Sequence, residues 1–191
     1  MYQISKEGKN LHGNINISGS KSESNRLLTL RAYTSFFNIN NLSDSDDTKT
    51  MISSLKSDKE EINIGHAGTA MRFLTSYYSS ILNSSKILTG SSRMKERPIL
   101  ILVEALNNLG ADIEYIDKKG YPPIKINGKL IYGNEIALPA DVSSQYISSL
   151  MMLGVSINQG LKIKLSTKIC LLYTSDAADE GLGVDLGGRR I

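Results

Sequence analysis

Four segments of this 191-residue chain place hydroxyl, glycine or cationic side chains beside the predicted start of a helix. They are residues 20–22, 65–69, 93–97 and 143–145. The first turn of a helix has unpaired backbone N–H groups and a partial positive charge, so it attracts anions. Taken together, the four segments indicate a site for phosphate or carboxylate groups.

Six cationic side chains accompany these segments: Lys21, Arg26, Arg72, Arg93, Lys95 and Arg97. Arginine suits bidentate recognition of oxyanions, and lysine acts as a point charge. Arg26 follows Ser22 by one helical turn, and Arg72 follows Gly68 by the same spacing, so each cation can lie near its helix start. The chain contains neither a Walker A nor a dinucleotide-binding fingerprint.

Each segment taken alone also has an ordinary structural interpretation. Lys21 with Arg26 is compatible with a solvated helix face, and residues 93–97 with a basic surface turn. Ser143 and Ser144 are typical of a helix N-cap, which is the commonest use of such residues. The anion site is therefore a hypothesis about the four segments in combination.

Metal-ligating and nucleophilic side chains are scarce in this sequence. One cysteine excludes a disulfide framework, and two histidines make a histidine-rich metal site an unfavourable interpretation. His66 is interpreted as a loop residue, and Asp46 with Asp47 as a helix cap rather than a catalytic pair. We therefore predict no metal site.

An alternation of short β-type runs and helical patterns predicts an α/β protein. Strands are predicted around residues 15–17, 62–64, 87–89, 113–116 and 124–126, with helices beginning near residues 22, 45, 69, 98 and 141. Pro98 is expected at the first position of its helix, where proline is tolerated. Gly120 with Pro122 and Pro123 predicts a turn between two strands.

Composition excludes several other classes of protein. The chain is 40% hydrophobic with a net charge of +3, and it has no apolar run of the ~20 residues that a membrane span needs. Its start lacks the layout of a signal peptide, so we expect a cytoplasmic protein. A nucleic-acid binder would need a basic stripe with interleaved aromatic residues, which the chain does not offer.

The last 22 residues, 170–191, differ in character from the rest. They resemble translated sequencing-adapter DNA, and the single cysteine, Cys170, is among them. We predict that residues 170–191 are a non-native tail and that the natural protein continues beyond Ile169. Because the tail contains four acidic and two basic residues, residues 1–169 carry a net charge of +5.

Five motifs in order resemble the family of 5-enolpyruvylshikimate-3-phosphate synthases. They are GSKSESNR at 19–26, GHAGTAMR at 65–72, LTG with RMKERPI across 88–99, YPP at 121–123 and SSQY at 143–146. The resemblance covers nearly all of residues 11–153. UDP-N-acetylglucosamine enolpyruvyl transferase, which shares the fold, lacks this serine-rich set and stays an alternative.

The resemblance implies an inside-out α/β barrel built from βαβαββ units. Residues 1–169 would form part of the N-terminal domain, with about two units and an initial stretch that belongs to the other domain. The implied reaction transfers the enolpyruvyl group of phosphoenolpyruvate to the 5-hydroxyl of shikimate 3-phosphate and releases phosphate. This reaction is a step of the shikimate pathway, which leads to chorismate and the aromatic amino acids. The resemblance implies no metal or organic cofactor. It also implies that the full-length protein is a monomer.

The resemblance also assigns roles to residues, motif by motif. For shikimate 3-phosphate the implied residues are Lys21, Ser22, Arg26, Ser143, Ser144 and Gln145. For phosphoenolpyruvate they are Lys21, Gly68, Arg72, Arg97 and Gln145. Lys21 would contact both substrates and is the residue that the resemblance assigns to catalysis.

Three departures from the family pattern qualify these expectations. His66 replaces the usual asparagine, and Phe73 replaces the common proline in a helix that sets the response to glyphosate. The family's acid/base carboxylates lie in a second half that this chain lacks. We therefore expect no turnover from the chain itself, and poor solubility because helices that the missing part covers would be exposed. The rival hypothesis from another class is a non-catalytic anion-binding module.

Overall fold

The computed structural model of the chain describes residues 14, 16–139 and 143–166. The helices are α1 (Lys21–Thr34), α2 (Asp46–Leu55), α3 (Gly68–Ser79), α4 (Ser92–Lys95), α5 (Leu100–Asn108) and α6 (Ser144–Leu153). The strands are β1 (Glu61–Asn63), β2 (Ser85–Thr89), β3 (Asp112–Tyr115), β4 (Ile124–Asn127), β5 (Glu135–Leu138) and β6 (Lys162–Leu165). The predicted α/β class is confirmed.

The strands form a four-stranded and a two-stranded sheet within the described residues. The larger sheet has the order β1-β2-β4-β3, with β1 parallel to β2 and β4 antiparallel to both of its neighbours. In chain order β1, α3, β2, α5, β3 and β4 give one βαβαββ unit. The smaller sheet pairs β5 with β6 in parallel across α6, which is the start of a second unit.

Serine side chains define where the first two helices begin. Ser20 precedes α1 in extended conformation and accepts a hydrogen bond from the backbone N–H of Glu23, at 3.4 Å. Ser45 does the same for α2 through the N–H of Thr48. These caps satisfy backbone donors that have no partner inside the helix. The predicted start of the second helix at residues 45–47 is confirmed.

Helix α3 is buried on nearly all sides. Eleven of its twelve residues are buried, and it packs against α1, α2, α5 and α6 and against β2 and β4. Phe73 and Ala70 are 0% exposed, so apolar contacts surround the helix. A helix enclosed in this way has a fixed N-terminus, which matters because Gly68 and Arg72 lie in its first turns.

Two sequence predictions about local structure are wrong. Pro98 does not start a helix: the chain forms the short helix α4, turns, and begins α5 at Leu100. The turn is stabilised because the N–H of Ile99 donates to the carbonyl oxygen of Gly120, at 2.8 Å, instead of remaining free at a helix start. Ile17 lies outside any strand, and Ile15 and residues 141–142 lie outside the described residues.

Replacing Leu106 by alanine tests the core. Leu106 in α5 is 0% exposed, and we expect Leu106→Ala to lower the free energy of unfolding by about 2–5 kcal/mol through lost burial and a residual cavity. Leu130, which is 69% exposed, gives the matched control, and Leu130→Ala should change stability by less than about 0.5 kcal/mol. Urea unfolding measures both, and equal effects would contradict this placement of the core.

Candidate anion-binding site

Arg72 lies in the second turn of α3, where its guanidinium folds back toward the start of the helix. Its Nη1 donates to the carbonyl oxygen of Gly68 at 2.8 Å, and the residue is only 6% exposed. Burial lowers the pKa of Arg72, and the nearby guanidinium of Arg97 lowers it further. Its buried Nε has no hydrogen-bond partner among the described residues. This arginine is therefore a buried cation with an unused donor.

Arg97 reaches the same place from the turn between α4 and α5. A Cβ atom at Gly68 would lie 2.9 Å from Nη1 of Arg72 and 3.0 Å from Cζ of Arg97. A Cβ at Gly68 would therefore push the two guanidinium groups away from the backbone, and the exposed Arg97 has more freedom to move than the buried Arg72. Gly68, Arg72 and Arg97, which we call the guanidinium pair at Gly68, are brought together as the anion hypothesis requires.

A cavity of about 420 Å³ opens beside this pair and is lined by His66, Arg93, Met94 and Arg97. The imidazole Nδ1 of His66 lies 2.8 Å from the hydroxyl of Ser91, which also caps α4 by accepting from the N–H of Met94. Two guanidinium groups supply the fixed charge of the lining. Such a cavity suits a small anion that can share its charge between them.

Helix α6 begins next to the start of α3. Ser143 caps α6 by accepting a hydrogen bond from the N–H of Gln145, at 3.3 Å. The amide Nε2 of Gln145 donates to the hydroxyl of Thr69, also at 3.3 Å. The segment 143–145 therefore adds uncharged hydrogen-bonding groups, Ser144 included, beside the guanidinium pair at Gly68.

Arg26 connects α1 to α6 on another side of α3. Its Nη1 donates to the carbonyl oxygen of Ser22 at 3.1 Å, and its Nη2 lies 3.4 Å from the hydroxyl of Ser148. Its Cζ lies 6.0 Å from the centre of the Phe73 ring, which offers a cation–π contact. Arg26 and the guanidinium pair at Gly68 therefore both contact α3 and its neighbour α6.

Lys21 and Ser22 lie at the exposed start of α1. The ammonium of Lys21 is 3.6 Å from a carboxylate oxygen of Asp47, at the start of α2. The structure thus places Lys21 with an acidic neighbour, and its contact with two substrates stays a prediction.

Three serines that organise the site were not predicted from the sequence: Ser76, Ser148 and Ser149. Ser149 donates to the carbonyl oxygen of Arg72 at 2.8 Å, and its hydroxyl lies 2.6 Å from that of Ser76. The hydroxyl of Thr69 accepts a hydrogen bond from Gln145, and the hydroxyl of Ser148 accepts one from Arg26. Polar residues on the otherwise apolar helices α3 and α6 were the available signal, because buried hydroxyls need partners.

The described ranges show neither a membrane-spanning helix nor a metal-binding cluster of side chains. No helix there is long and apolar enough to cross a membrane. Residues 14, 16–139 and 143–166 also contain no group of three or more His, Cys, Asp or Glu side chains that could hold a metal ion. The converging groups that the structure shows are cations and hydroxyls.

Fold and geometry define the class: an α/β protein of βαβαββ type with cationic and hydroxyl side chains gathered at the starts of its helices. The chain belongs to the family described as EPSP synthase (3-phosphoshikimate 1-carboxyvinyltransferase), whose model matches residues 52–180. That match extends into residues 170–180, so the boundary of a non-native tail at residue 170 stays a prediction.

Relatives named 3-phosphoshikimate 1-carboxyvinyltransferase agree with this membership. The protein of Bacteroides fragilis is 49% identical over 156 residues, which cover 81% of this chain and 38% of the relative. The protein of Haemophilus influenzae is 39% identical over 171 residues, which cover 74% of this chain and 40% of the relative. The EPSP synthase structure of Acinetobacter baumannii has a similar fold, with a TM-score of 0.69 at 20% sequence identity. The match covers 82% of this chain and 41% of that structure's chain. This chain therefore spans well under half the length of these relatives.

Substituting Gly68 tests the guanidinium pair. We expect Gly68→Ala to displace both arginines and to weaken binding of inorganic phosphate at least about tenfold, since two charge-assisted contacts would be misplaced. Gly154→Ala is the control, because a Cβ there would first meet the Cβ of Leu161 at 3.3 Å, in another part of the fold. Isothermal titration with phosphate measures both, and unchanged binding in Gly68→Ala would exclude this site.

Proposed function

We propose that the full-length protein to which this sequence belongs transfers the enolpyruvyl group of phosphoenolpyruvate to shikimate 3-phosphate, with release of phosphate. The observation that supports this most is the guanidinium pair at Gly68. Both substrates are multiply charged anions, and Arg72 and Arg97 converge on one helix N-terminus where such a charge is stabilised. Family membership gives the same reaction in the names of the relatives.

We assign phosphoenolpyruvate to the guanidinium pair at Gly68. Arg72 is buried and Arg97 is exposed, so the pair is accessible from one side only. An anion placed there would use the free Nε of Arg72 and relieve the repulsion between the two cations. The gain is electrostatic, and it is larger in a partly buried site than in water.

We assign shikimate 3-phosphate to Lys21, Ser22, Arg26 and the start of α6. Arg26 reaches α6 through Ser148, and Gln145 reaches α3 through Thr69, so α6 contacts both groups of cations. This arrangement supports a role for residues 143–145 between the two substrates. Holding the 5-hydroxyl of one substrate near C2 of the other would convert an encounter of two molecules into a step within one complex.

The reaction then proceeds as an addition followed by an elimination. The 5-hydroxyl gives up its proton and adds to C2 of phosphoenolpyruvate while C3 takes up a proton, and the tetrahedral intermediate then loses phosphate from C2 and a proton from C3. The cations of this chain would bind and orient both anions and stabilise the leaving phosphate. We propose that Lys21 contacts both substrates, that acid/base groups come from the remainder of the full-length protein, and that this chain alone has no turnover.

The proposal extends to the setting of the reaction. We propose that the full-length protein works as a monomer in the cytoplasm on small-molecule substrates, without nucleic acid or membrane partners. The support concerns nucleic acid alone: the basic residues of the described ranges are spread over several elements, among them Lys86, Lys125 and Lys164 on three different strands.

Titration with shikimate 3-phosphate tests the substrate assignment. We expect Arg26→Ala to weaken binding at least about tenfold, because one charge-assisted contact to the phosphate is lost. Arg31→Ala, on the same helix but exposed, should change the affinity less than about twofold. Binding of UDP-N-acetylglucosamine in place of shikimate 3-phosphate would favour the related transferase.

Growth of a strain auxotrophic for aromatic amino acids tests the reaction. We expect the full-length gene to restore growth and Arg97→Ala within it to abolish restoration, because phosphoenolpyruvate loses a direct partner. Arg31→Ala should restore growth like the unsubstituted gene. A well-expressed full-length protein that binds both anions but does not restore growth would favour a non-catalytic anion-binding module.

A further inference from the structure

Tyr146 is the last residue of the SSQY motif, and it contacts Arg72 and the backbone next to Arg97, although the sequence assigned it no role. Its ring faces the guanidinium of Arg72, with Cζ 5.8 Å from the ring centre. Its hydroxyl donates to the carbonyl oxygen of Pro98 at 2.6 Å. Pro98 follows Arg97 directly, so one side chain contacts Arg72 and the backbone beside Arg97.

The backbone around Arg97 is anchored within its own turn and to the core, where Met94 and Ile99 are each 1% exposed. The N–H of Arg97 donates to the carbonyl oxygen of Met94, and the N–H of Ile99 donates to that of Gly120. Arg97 itself is exposed, in a turn between the four-residue helix α4 and helix α5. The hydrogen bond from Tyr146 is therefore the tie between this turn and helix α6, which also carries Gln145.

We propose that Tyr146 is a positioning residue for the anion site. Its hydroxyl holds the turn that carries Arg97, and its ring holds Arg72, so both guanidinium groups keep their places on either side of Gly68. Tyr146 acts through these arginines and does not touch the ligand. The inference rests on the proposed function in one respect, which is that the ligand of this pair is phosphoenolpyruvate.

The physical reason for such a residue is the mutual repulsion of the pair. Two guanidinium groups near one glycine favour separation when no anion lies between them. The negative face of an aromatic ring stabilises the buried cation, and a hydrogen bond to the backbone resists movement of the exposed one. Binding is tighter when groups are already in place, because less ordering remains to be done.

A purely structural role makes a different prediction. Tyr146 is 6% exposed and belongs to the core, so its removal would lower stability whatever else it does. Tyr78 is a close match: it is 5% exposed, and its hydroxyl donates to the carbonyl oxygen of Ser54 at 2.7 Å, on α2. A tyrosine-to-phenylalanine change at either position removes one buried hydroxyl that donates to a backbone carbonyl.

The experiment uses three forms of the 191-residue chain: the unsubstituted protein, Tyr146→Phe and Tyr78→Phe. Each form is titrated separately with phosphoenolpyruvate and with shikimate 3-phosphate. We expect Tyr146→Phe to bind phosphoenolpyruvate about five- to tenfold more weakly, or roughly 1.0–1.4 kcal/mol. Its affinity for shikimate 3-phosphate should change less than about twofold, and Tyr78→Phe should bind both ligands like the unsubstituted chain. Tyr146→Leu, which also removes the ring from Arg72, should weaken phosphoenolpyruvate binding further.

Each other outcome contradicts the proposal in a distinct way. Unchanged phosphoenolpyruvate affinity in Tyr146→Phe, with binding intact in the unsubstituted chain, refutes the role of Tyr146 alone. Equal losses for both ligands, or unfolding of Tyr146→Phe while Tyr78→Phe stays folded in urea titration, assign Tyr146 to stability only. Absence of phosphoenolpyruvate binding in the unsubstituted chain contradicts the assignment of phosphoenolpyruvate to the guanidinium pair at Gly68, and this inference with it, whereas the reaction of the full-length protein is tested separately by the growth experiment.

Discussion

Two arginines held against one glycine at the start of a buried helix form the constraint around which the described fold is arranged. Arg72 is charged yet almost enclosed, a placement that is unfavourable unless the cation has partners. The carbonyl oxygen of Gly68 and the ring of Tyr146 provide two. Arg97 approaches the same glycine and adds repulsion, so the site is left with an excess of positive charge that an anion would neutralise.

The surrounding elements keep this arrangement rigid. Helix α3 is enclosed by four helices and two strands, so its first turn cannot shift without disturbing the core. Helix α6 is joined to it by hydrogen bonds from Gln145 to Thr69 and from Ser149 to the backbone of Arg72. The same helix meets Arg26 through Ser148. One helix therefore contacts both sets of cations, which is why its first turn is well placed to act on two ligands at once.

Local signals in the sequence were sufficient for much of the fold. The segment 20–22 located α1, the segment 45–47 located α2 and helical periodicity located α3, because such patterns act within a few residues. The turn at Pro98 was mispredicted because a long-range hydrogen bond from Ile99 to Gly120 displaces the helix start. The strands β5 and β6 were missed, and each is stabilised by pairing with the other, a contact between segments far apart in the sequence.

By itself, the sequence determined the inventory of cations and hydroxyls, the helix starts that carry them and the resemblance to a family. Those features depend on residue type and short spacing, which are visible along the chain. Only the tertiary structure decided which groups meet. It brought Arg97 to Gly68, placed Lys21 beside Asp47 and linked Tyr146 to Pro98 across 48 residues. These contacts between distant residues depend on how whole helices and strands pack, and no local periodicity of the sequence encodes them.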